Sequence, residues 1–368
     1  MENFRILDYL YQLDISPIYV NIIGAFIFSF FITIISIPKI IRISYKKGLM
    51  DDPIERSSHV VKIPTLGGIA LFFGIVVSTS IFATDLGTNY SFFLSAIVIL
   101  FFVGLMDDLL VVAPDKKLYA QIISTTFIIF GSGITINSFH GLFYINELNY
   151  FVGVLLTYIV FIVLINAFNL IDGIDGLASG VGIVISASFI FIFYRIYDYG
   201  IGILAISVVA VLFAFLKYNL SKSERIFMGD TGSMVIGFIL TFMAVRFLFI
   251  SGLPNYKLYT APVLLFYIFC IPVIDTFSVF CIRLINGNHP LKPDKNHLHH
   301  QILNLGFNHF QTSLILVTVN IIFVLIGFNL RYLDINLLFI IFIALSFILF
   351  GSIYLLKRRK RLKTIKYN

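Results

Sequence analysis

The stretch Asn166-Ala-Phe-Asn-Leu-Ile-Asp-Gly-Ile-Asp-Gly-Leu-Ala-Ser-Gly180 joins two apolar runs, 151–165 and 181–193. A helix that only spans a membrane has no use for two asparagines and two aspartates at its edge. The stretch therefore reads as the end of a span and as a site at once. Asn166, Asn169, Asp172 and Asp175 recur at every third residue, so each neighbouring pair can share a helix face or a tight turn. Gly173 and Gly176 weaken a helix but let backbone approach a ligand closely. The competing reading is a plain polar connection between two spans. An EF-hand calcium loop is excluded: Ile174 stands where the third-position ligand belongs, and no glutamate closes the loop.

The rest of the chain has the same grain. Of its 368 residues, 59% are hydrophobic and only 12% charged, more apolar surface than a soluble domain of this length needs. Runs long enough to cross a bilayer lie near 18–41, 66–84, 91–106, 118–136, 150–168, 177–194, 200–216, 233–250, 259–282, 312–329 and 336–356. The fold class expected is an all-α polytopic membrane protein of about eleven transmembrane helices. A removable signal peptide is not expected, because the first run lacks a basic region before it and a small-residue cleavage site after it. No repeat, low-complexity linker or soluble insert divides the chain. It is read as one integral-membrane domain, 1–368, with its polar motifs between about 48 and 300 and a basic tail at 357–368.

Charge sets the expected orientation. If the first span runs inward, the inner loops take Lys39, Arg42, Lys46, Lys47, Arg56, Lys62, Lys116, Lys117, Lys217, Lys222, Arg225, Arg283, Lys292 and Lys295, and the tail is inside too. Only Arg5, Arg195, Arg246, Lys257 and Arg331 remain outside. The positive-inside rule then puts the N-terminus outside and the C-terminus in the cytoplasm. The net charge of +7 resides mostly in this tail and these loops, which points to anionic lipid or an anionic substrate and not to nucleic acid. Cys270 and Cys281 are about 16 Å apart along a helix, too far for a disulfide, and read as core residues.

On that topology nearly every polar cluster falls on the inner side, which suits an enzyme at the inner leaflet better than a transporter with its polar groups at the midplane. In the first inner loop Arg56, His59 and Lys62 are donors for phosphate or a base edge. Gly67 and Gly68 open the next helix, where free backbone N–H groups favour anions. The adjacent pair Asp107 and Asp108 ends an apolar run. Neighbours on a helix diverge by about 100°, so the two acids are expected to do different jobs. Lys116 and Lys117 just beyond can attract an acidic lipid head group. Asp230 opens a later span, where capping its own helix is the plain alternative. In the last inner loop His297 and His300 are expected on one helix face with His299 turned away. With Lys292 and Lys295 alongside, the histidines favour phosphate over zinc, which wants three or four ligands in a tetrahedron. Asp275 lies within the ninth run and has no role that the sequence assigns. No P-loop is present.

Pro64-Thr-Leu-Gly-Gly68, Asp107-Asp108, Asn169-Leu-Ile-Asp-Gly-Ile-Asp-Gly176, Phe227-Met-Gly-Asp-Thr-Gly-Ser233 and His297-Leu-His-His300, in this order, resemble the polyprenyl-phosphate N-acetylhexosamine-1-phosphate transferases of glycosyltransferase family 4. Each motif alone is weak, whereas five in order are specific. The His-x-His-His form looks like the branch that starts O-antigen, teichoic-acid or exopolysaccharide chains from UDP-GlcNAc. The branch transferring phospho-N-acetylmuramoyl-pentapeptide usually has three consecutive histidines. The resemblance implies Mg²⁺ as cofactor, replaceable by Mn²⁺, with Asp230 as its ligand. It implies that Asp107 and Asp108 form the catalytic pair and that Asn169 and Asp172 line the cleft. Asp175 and Phe227 would hold and stack the uracil, while Arg283, His297, His299 and His300 would meet pyrophosphate or sugar. Lys62 and Asn219 complete the substrate-binding candidates. One departure stands out: Ser221-Lys-Ser-Glu-Arg225 replaces the usual proline-alanine element between Asn219 and Asp230.

The partners so implied are a UDP-N-acetylhexosamine, undecaprenyl phosphate and membrane lipid, with a homodimer compatible and no nucleic acid. The setting is the bacterial inner membrane, with the site on the cytoplasmic face. The reaction implied is attack of the lipid phosphate on the β-phosphorus of the UDP-sugar, releasing UMP. Direct in-line attack is favoured because a phosphate monoester, with a second pKa of about 6, needs no strong base. A phospho-aspartyl intermediate at Asp107 or Asp108 is the alternative. The competing functions are transfer of the muramoyl-pentapeptide and, in another class, a carrier for an anionic sugar nucleotide.

Overall fold

The computed structural model describes residues 17–50, 63–83, 86–253, 256, 258–285, 287 and 297–367. Arg56, His59, Lys62, Lys292 and Lys295 lie outside them. In chain order the helices are α1 (Pro17–Lys47), α2 (Gly67–Phe82), α3 (Gly87–Leu110), α4 (Pro114–Thr126), α5 (Tyr150–Ile171), α6 (Leu177–Arg195), α7 (Tyr199–Asn219), α8 (Gly229–Ser251), α9 (Ala261–Ile268), α10 (Cys270–Ile285), α11 (Leu298–Leu303), α12 (His309–Leu330) and α13 (Ile335–Tyr367). A π-helical turn, Phe127–Gly131, extends α4. No strand forms among the described residues, and an isolated antiparallel bridge joins Ser138 with Glu147.

Among the described residues eight helices are long and apolar enough to cross a membrane: α1, α3, α5, α6, α7, α8, α12 and α13. A ninth follows if α9 and α10 count together, although they meet at a bend of 82°. The remaining two of the eleven runs fall on shorter helices, α2 with 16 residues and α4 with 13. The ninth run, expected as one span, is broken at Phe269. Its freed backbone is met from outside: the Asn320 side chain donates to the Ile268 carbonyl at 3.0 Å. Unsatisfied carbonyls are costly in an apolar medium, so such a break persists only where a neighbour supplies the donor.

The chain divides into two compact units, Met1–Ser132 with Ser186–Ile236, and Gly133–Ile185 with Gly237–Asn368. In the first, α1, α2 and α7 pack together. Ser78 donates to the Ala25 carbonyl at 2.9 Å and meets Ser207 at 3.1 Å, while the Tyr218 hydroxyl donates to the Ile34 carbonyl. Small hydroxyl residues let apolar helices approach closely and bond across the contact. Because α7 is buried on nearly all sides, its sequence shows no polar face. Phe72 and Phe101 stack at 4.0 Å, tying α2 to α3, and Ser124 of α4 donates to the Ala96 carbonyl of α3.

In the second unit Thr157 of α5 accepts from the Ile136 amide, and the buried Tyr267 of α9 donates to the Leu338 carbonyl of α13. The basic tail is no separate segment. It continues α13, from which Lys357 donates to the Gln301 side chain and Lys360 to the Asn304 carbonyl at the end of α11. A cation at a helix C-terminus meets carbonyls that the helix itself leaves open.

Candidate functional site

In the first unit the ends of α3, α4 and α8 bring Asp107, Asp108, Lys117 and Asp230 together. Being successive residues on a helix, the two acids of α3 point different ways. Asp108 turns to α8. Its Oδ1 accepts from the Asp230 amide at 2.8 Å, and its Oδ2 accepts from the Thr231 amide at 3.0 Å and the Thr231 hydroxyl at 2.5 Å. It therefore caps a helix more than a hundred residues away along the chain. The first N–H groups of a helix need an acceptor, and a carboxylate there also meets the positive end of the helix dipole.

Asp107 turns the other way. Its Oδ1 accepts from the Val112 amide at 2.6 Å and its Oδ2 pairs with the Lys117 ammonium at 2.7 Å. Lys117 also pairs with Asp230 Oδ2. Burial works against the Lys117 charge, yet the neighbouring Asp230 carboxylate and the bond to Asp107 hold its pKa above the ordinary lysine value. Two carboxylates against one ammonium leave this spot net negative, with hard oxygen donors facing one cation position. Mg²⁺ commonly takes one or two carboxylates and fills its other positions with water and substrate phosphate. Asp230 and Asp107 fit that ion. Among the described residues no group of three or more His, Cys, Asp or Glu is placed to hold a metal ion, so protein ligands here number at most two.

The loop before α8 is pinned to the start of α2. The Phe227 amide donates to the Pro64 carbonyl, while the Gly67 and Gly68 amides donate to the carbonyls of Phe227 and Met228. The two glycine amides expected to await an anion are thus spent on backbone. Gly229 has φ +69°, and a Cβ there would fall 2.2 Å from the Thr65 carbonyl and 2.6 Å from Asp108. Only glycine permits both the left-handed turn and the contact. Buried Asn219 donates to the Ile226 carbonyl at 3.0 Å, closing the loop that contains the departing Ser221–Arg225 segment. Arg225 lies over the Phe227 ring at 6.0 Å.

In the second unit the Asn169–Gly176 stretch is the end of α5 and the turn after it. Asp172 is the C-cap, its amide donating to the Asn169 carbonyl. Asn169 and Asp172 are half-buried, whereas Asp175 is buried. The nearby Asn166 is spent on its own helix, donating to the Ile162 carbonyl. Asp175 Oδ2 meets His309 Nδ1 at 3.0 Å, and its backbone carbonyl accepts from the Ser313 hydroxyl at 2.7 Å.

One of the histidines is placed differently from expectation. α11 begins at Leu298 with His297 as its extended N-cap, and the rings of His297 and His300 lie 6.4 Å apart. His299 is not turned away to solvent: it is buried, and its ring lies 4.3 Å from that of His300 and 5.7 Å from that of His297. Burial, with the His300 charge adding to it, pushes the His299 pKa down to about 3, so the ring is neutral at physiological pH. A Cβ on Gly173 would come within 2.9 Å of His299 Nε2, so the histidine helix lies directly on the aspartate turn. Asp275, to which the sequence assigned no role, anchors this arrangement. Its Oδ2 meets His297 Nδ1 at 2.8 Å and its Oδ1 accepts from the Leu298 amide at 2.5 Å. Arg283 stands two turns beyond it on α10.

The site candidates thus fall into two groups by unit: Asp107, Asp108, Asn219, Phe227 and Asp230 in the first, and Asn169, Asp172, Asp175, Arg283 and the three histidines in the second. Lys62 lies outside the described residues. Sequence reasoning did not single out Lys117 as the counter-ion of Asp230, nor His309 and Ser313 as the partners of Asp175. Lys117 had a signal, a basic pair directly after an acidic pair. His309 had none, being one polar residue at the mouth of an apolar helix.

Helices long and apolar enough to cross a membrane thus end in carboxylate clusters. The description of glycosyl transferase family 4 matches residues 90–248 of the chain. Over 330 residues the chain is 29% identical to a probable undecaprenyl-phosphate N-acetylglucosaminyl 1-phosphate transferase of Bacillus subtilis (strain 168), covering 89% of this chain and 90% of that protein. Two proteins named undecaprenyl-phosphate alpha-N-acetylglucosaminyl 1-phosphate transferase are also similar. That of Escherichia coli (strain K12) is 29% identical over 86% of each chain, and that of Yersinia pestis is 27% identical over 87% of each. The chain is thus similar to glycosyl transferase family 4 over residues 90–248 and to these 1-phosphate transferases over most of its length, and its helices are those of a multi-pass membrane protein.

Proposed function

We propose that the protein transfers N-acetylglucosamine-1-phosphate from UDP-GlcNAc to undecaprenyl phosphate at the inner leaflet of a bacterial cytoplasmic membrane, starting a cell-envelope glycan. The names of the similar proteins support this substrate pair. The observation that carries the reading is the Asp107–Lys117–Asp230 cluster, a cation-seeking group where two phosphates would have to meet. An oxygen of the lipid phosphate attacks the β-phosphorus of the UDP-sugar. The bond from that phosphorus to the oxygen bridging it to the α-phosphate breaks, and UMP leaves with that oxygen. One phosphoanhydride replaces another.

Asp230, with Asp107, would hold Mg²⁺, which when bound supplies charge stabilisation for the phosphates. Lys117, whose ammonium is favoured by its neighbours, offsets the remaining repulsion between two anions. Asp108 acts through the start of α8, keeping Asp230 in place. Asn169 and Asp172 serve the same chemistry from their turn. Asp175 and Phe227 take the uracil, and Arg283 with the histidines takes pyrophosphate and sugar. A neutral His299 would serve as a hydrogen-bonding group and not as a charge.

The topology of this reading has eleven crossings, the shorter α2 and α4 included, within a single domain, with the N-terminus outside and the tail inside. The test is UMP release by purified protein given undecaprenyl phosphate, Mg²⁺ and a panel of UDP-sugars. UDP-GlcNAc is expected to react, and added UMP to run the reaction backwards. Preference for the muramoyl-pentapeptide nucleotide would move the protein to that branch, and nucleotide uptake without UMP release would make it a carrier.

A further inference from the structure

The second unit holds a contact that neither the family motifs nor the proposed roles account for. Asp175, the second acid of the Asn169–Gly176 stretch, is gripped twice by one helix: by the His309 ring at its carboxylate and by the Ser313 hydroxyl at its carbonyl. His309 and Ser313 are four residues apart, on one face of α12. One turn further on that face, Val317 packs against Gly180 of α6. The start of α12 is itself fixed by a capping box, with the Asn308 side chain accepting from the Gln311 amide and the Gln311 side chain accepting from the Asn308 amide. This holds His309 at the first helical position. An ionised carboxylate only accepts, so the imidazole donates from Nδ1.

We infer that His309 is a positioning residue for nucleotide recognition: it fixes the rotamer of Asp175 and thereby sets affinity and selectivity for the base of the UDP-sugar. The inference rests on the proposed function, in which Asp175 meets uracil. A carboxylate reads a base edge by the direction of its lone pairs, and a ring bonded to one oxygen fixes that direction. Losing a hydrogen bond to a charged group typically changes an equilibrium by tenfold or more.

The experiment is steady-state UMP release by wild type, His309→Ala, His309→Gln and His309→Asn, with both substrates varied. The side-chain nitrogen of asparagine can stand where Nδ1 stands, whereas that of glutamine is displaced by one carbon. His309→Ala and His309→Gln are expected to raise KM for UDP-GlcNAc about tenfold and to weaken inhibition by UMP equally. Turnover should stay within about threefold and KM for the lipid should not move. Discrimination between UDP-GlcNAc and CDP-GlcNAc should narrow, and His309→Asn should restore both values. A merely structural role would lower thermal stability and the yield of active protein without a selective change in nucleotide KM. Unchanged nucleotide KM in His309→Gln, or a loss that His309→Asn does not rescue, would overturn the inference. If His309→Ala does not fold, the Gln and Asn pair decides alone. Failure of wild type to release UMP from any UDP-sugar would instead defeat the underlying function.

Discussion

Asp108 accepts three hydrogen bonds from the first turn of the helix that bears Asp230, two from the backbone amides of Asp230 and Thr231 and one from the Thr231 hydroxyl. The two acids are thus partners of unlike kind, one shaping the helix start and the other facing Lys117.

That division predicts different phenotypes. Asp108→Ala leaves two amides and a hydroxyl without their acceptor, and loss of such a cap typically costs about 1–2 kcal/mol. The expected outcome is a lower melting temperature in detergent together with loss of turnover, with Asp108→Asn in between. An Asp108→Ala protein as stable and active as wild type would remove the capping role.

Lys117→Met should fold, because Lys117 and Asp230 are each 26% exposed and a partly solvated pair contributes little to stability. UMP release should fall roughly 10²–10³-fold, the usual loss when one charge-stabilising group is removed. The raised pKa also fixes the pH behaviour. A lysine raised in the folded state contributes stability that is fully present below its ordinary pKa of 10.5 and is lost only as pH rises past the folded value. Turnover should therefore show no alkaline decline from Lys117 below pH 10 (read from a pH profile of kcat).

His299 supplies the acid counterpart. Its folded pKa is about 3 against an ordinary 6.5, so the stability contributed by the neutral ring is present above 6.5 and is lost as pH falls from there towards 3. At pH 5 this amounts to about 2 kcal/mol, from roughly 1.4 kcal/mol per pH unit. Wild type should lose more thermal stability between pH 7 and pH 5 than His299→Asn, in matched detergent. Equal losses would mean that the ring is charged or solvated.

The proposed topology is open to thiol labelling. With Cys270 and Cys281 replaced, single cysteines at 115 and 222 should resist an impermeant reagent in sealed cells and react after permeabilisation. A cysteine at 145 should react in both. Labelling of 115 or 222 in sealed cells would reverse the orientation.

Most of the helices were legible because hydropathy alone reports them: eight of the eleven apolar runs lie on membrane-length helices, two on shorter ones and the ninth on a bent pair. The break in the ninth was not, since Phe269 is as apolar as its neighbours and the decisive donor, Asn320, lies 52 residues away. Asp107 and Asp108 were recognisable as doing separate jobs from the 100° between neighbours on a helix. The identity of those jobs depended on α4 and α8, which sequence spacing does not bring near. Among the histidines only the place of His299 differs, its ring lying against both others, while Asp275 fixes the helix start by accepting from the Leu298 amide. The Asp175–His309 contact joins residues 134 apart, and sequence spacing brings no such pair together.

The central claim is that Asp230 holds the divalent ion on which transfer depends. Asp230→Asn keeps the shape and leaves Lys117 its partner Asp107, so the protein should fold with a melting temperature near that of wild type. The decisive measurement pairs Mg²⁺-dependent binding of UDP-GlcNAc with UMP release, for wild type and Asp230→Asn in the same detergent. The account predicts that Asp230→Asn loses the Mg²⁺ dependence of binding and several orders of magnitude of turnover. Near-normal, Mg²⁺-dependent UMP release by Asp230→Asn would contradict it and move the ion to another carboxylate, with Asp172 the first to test.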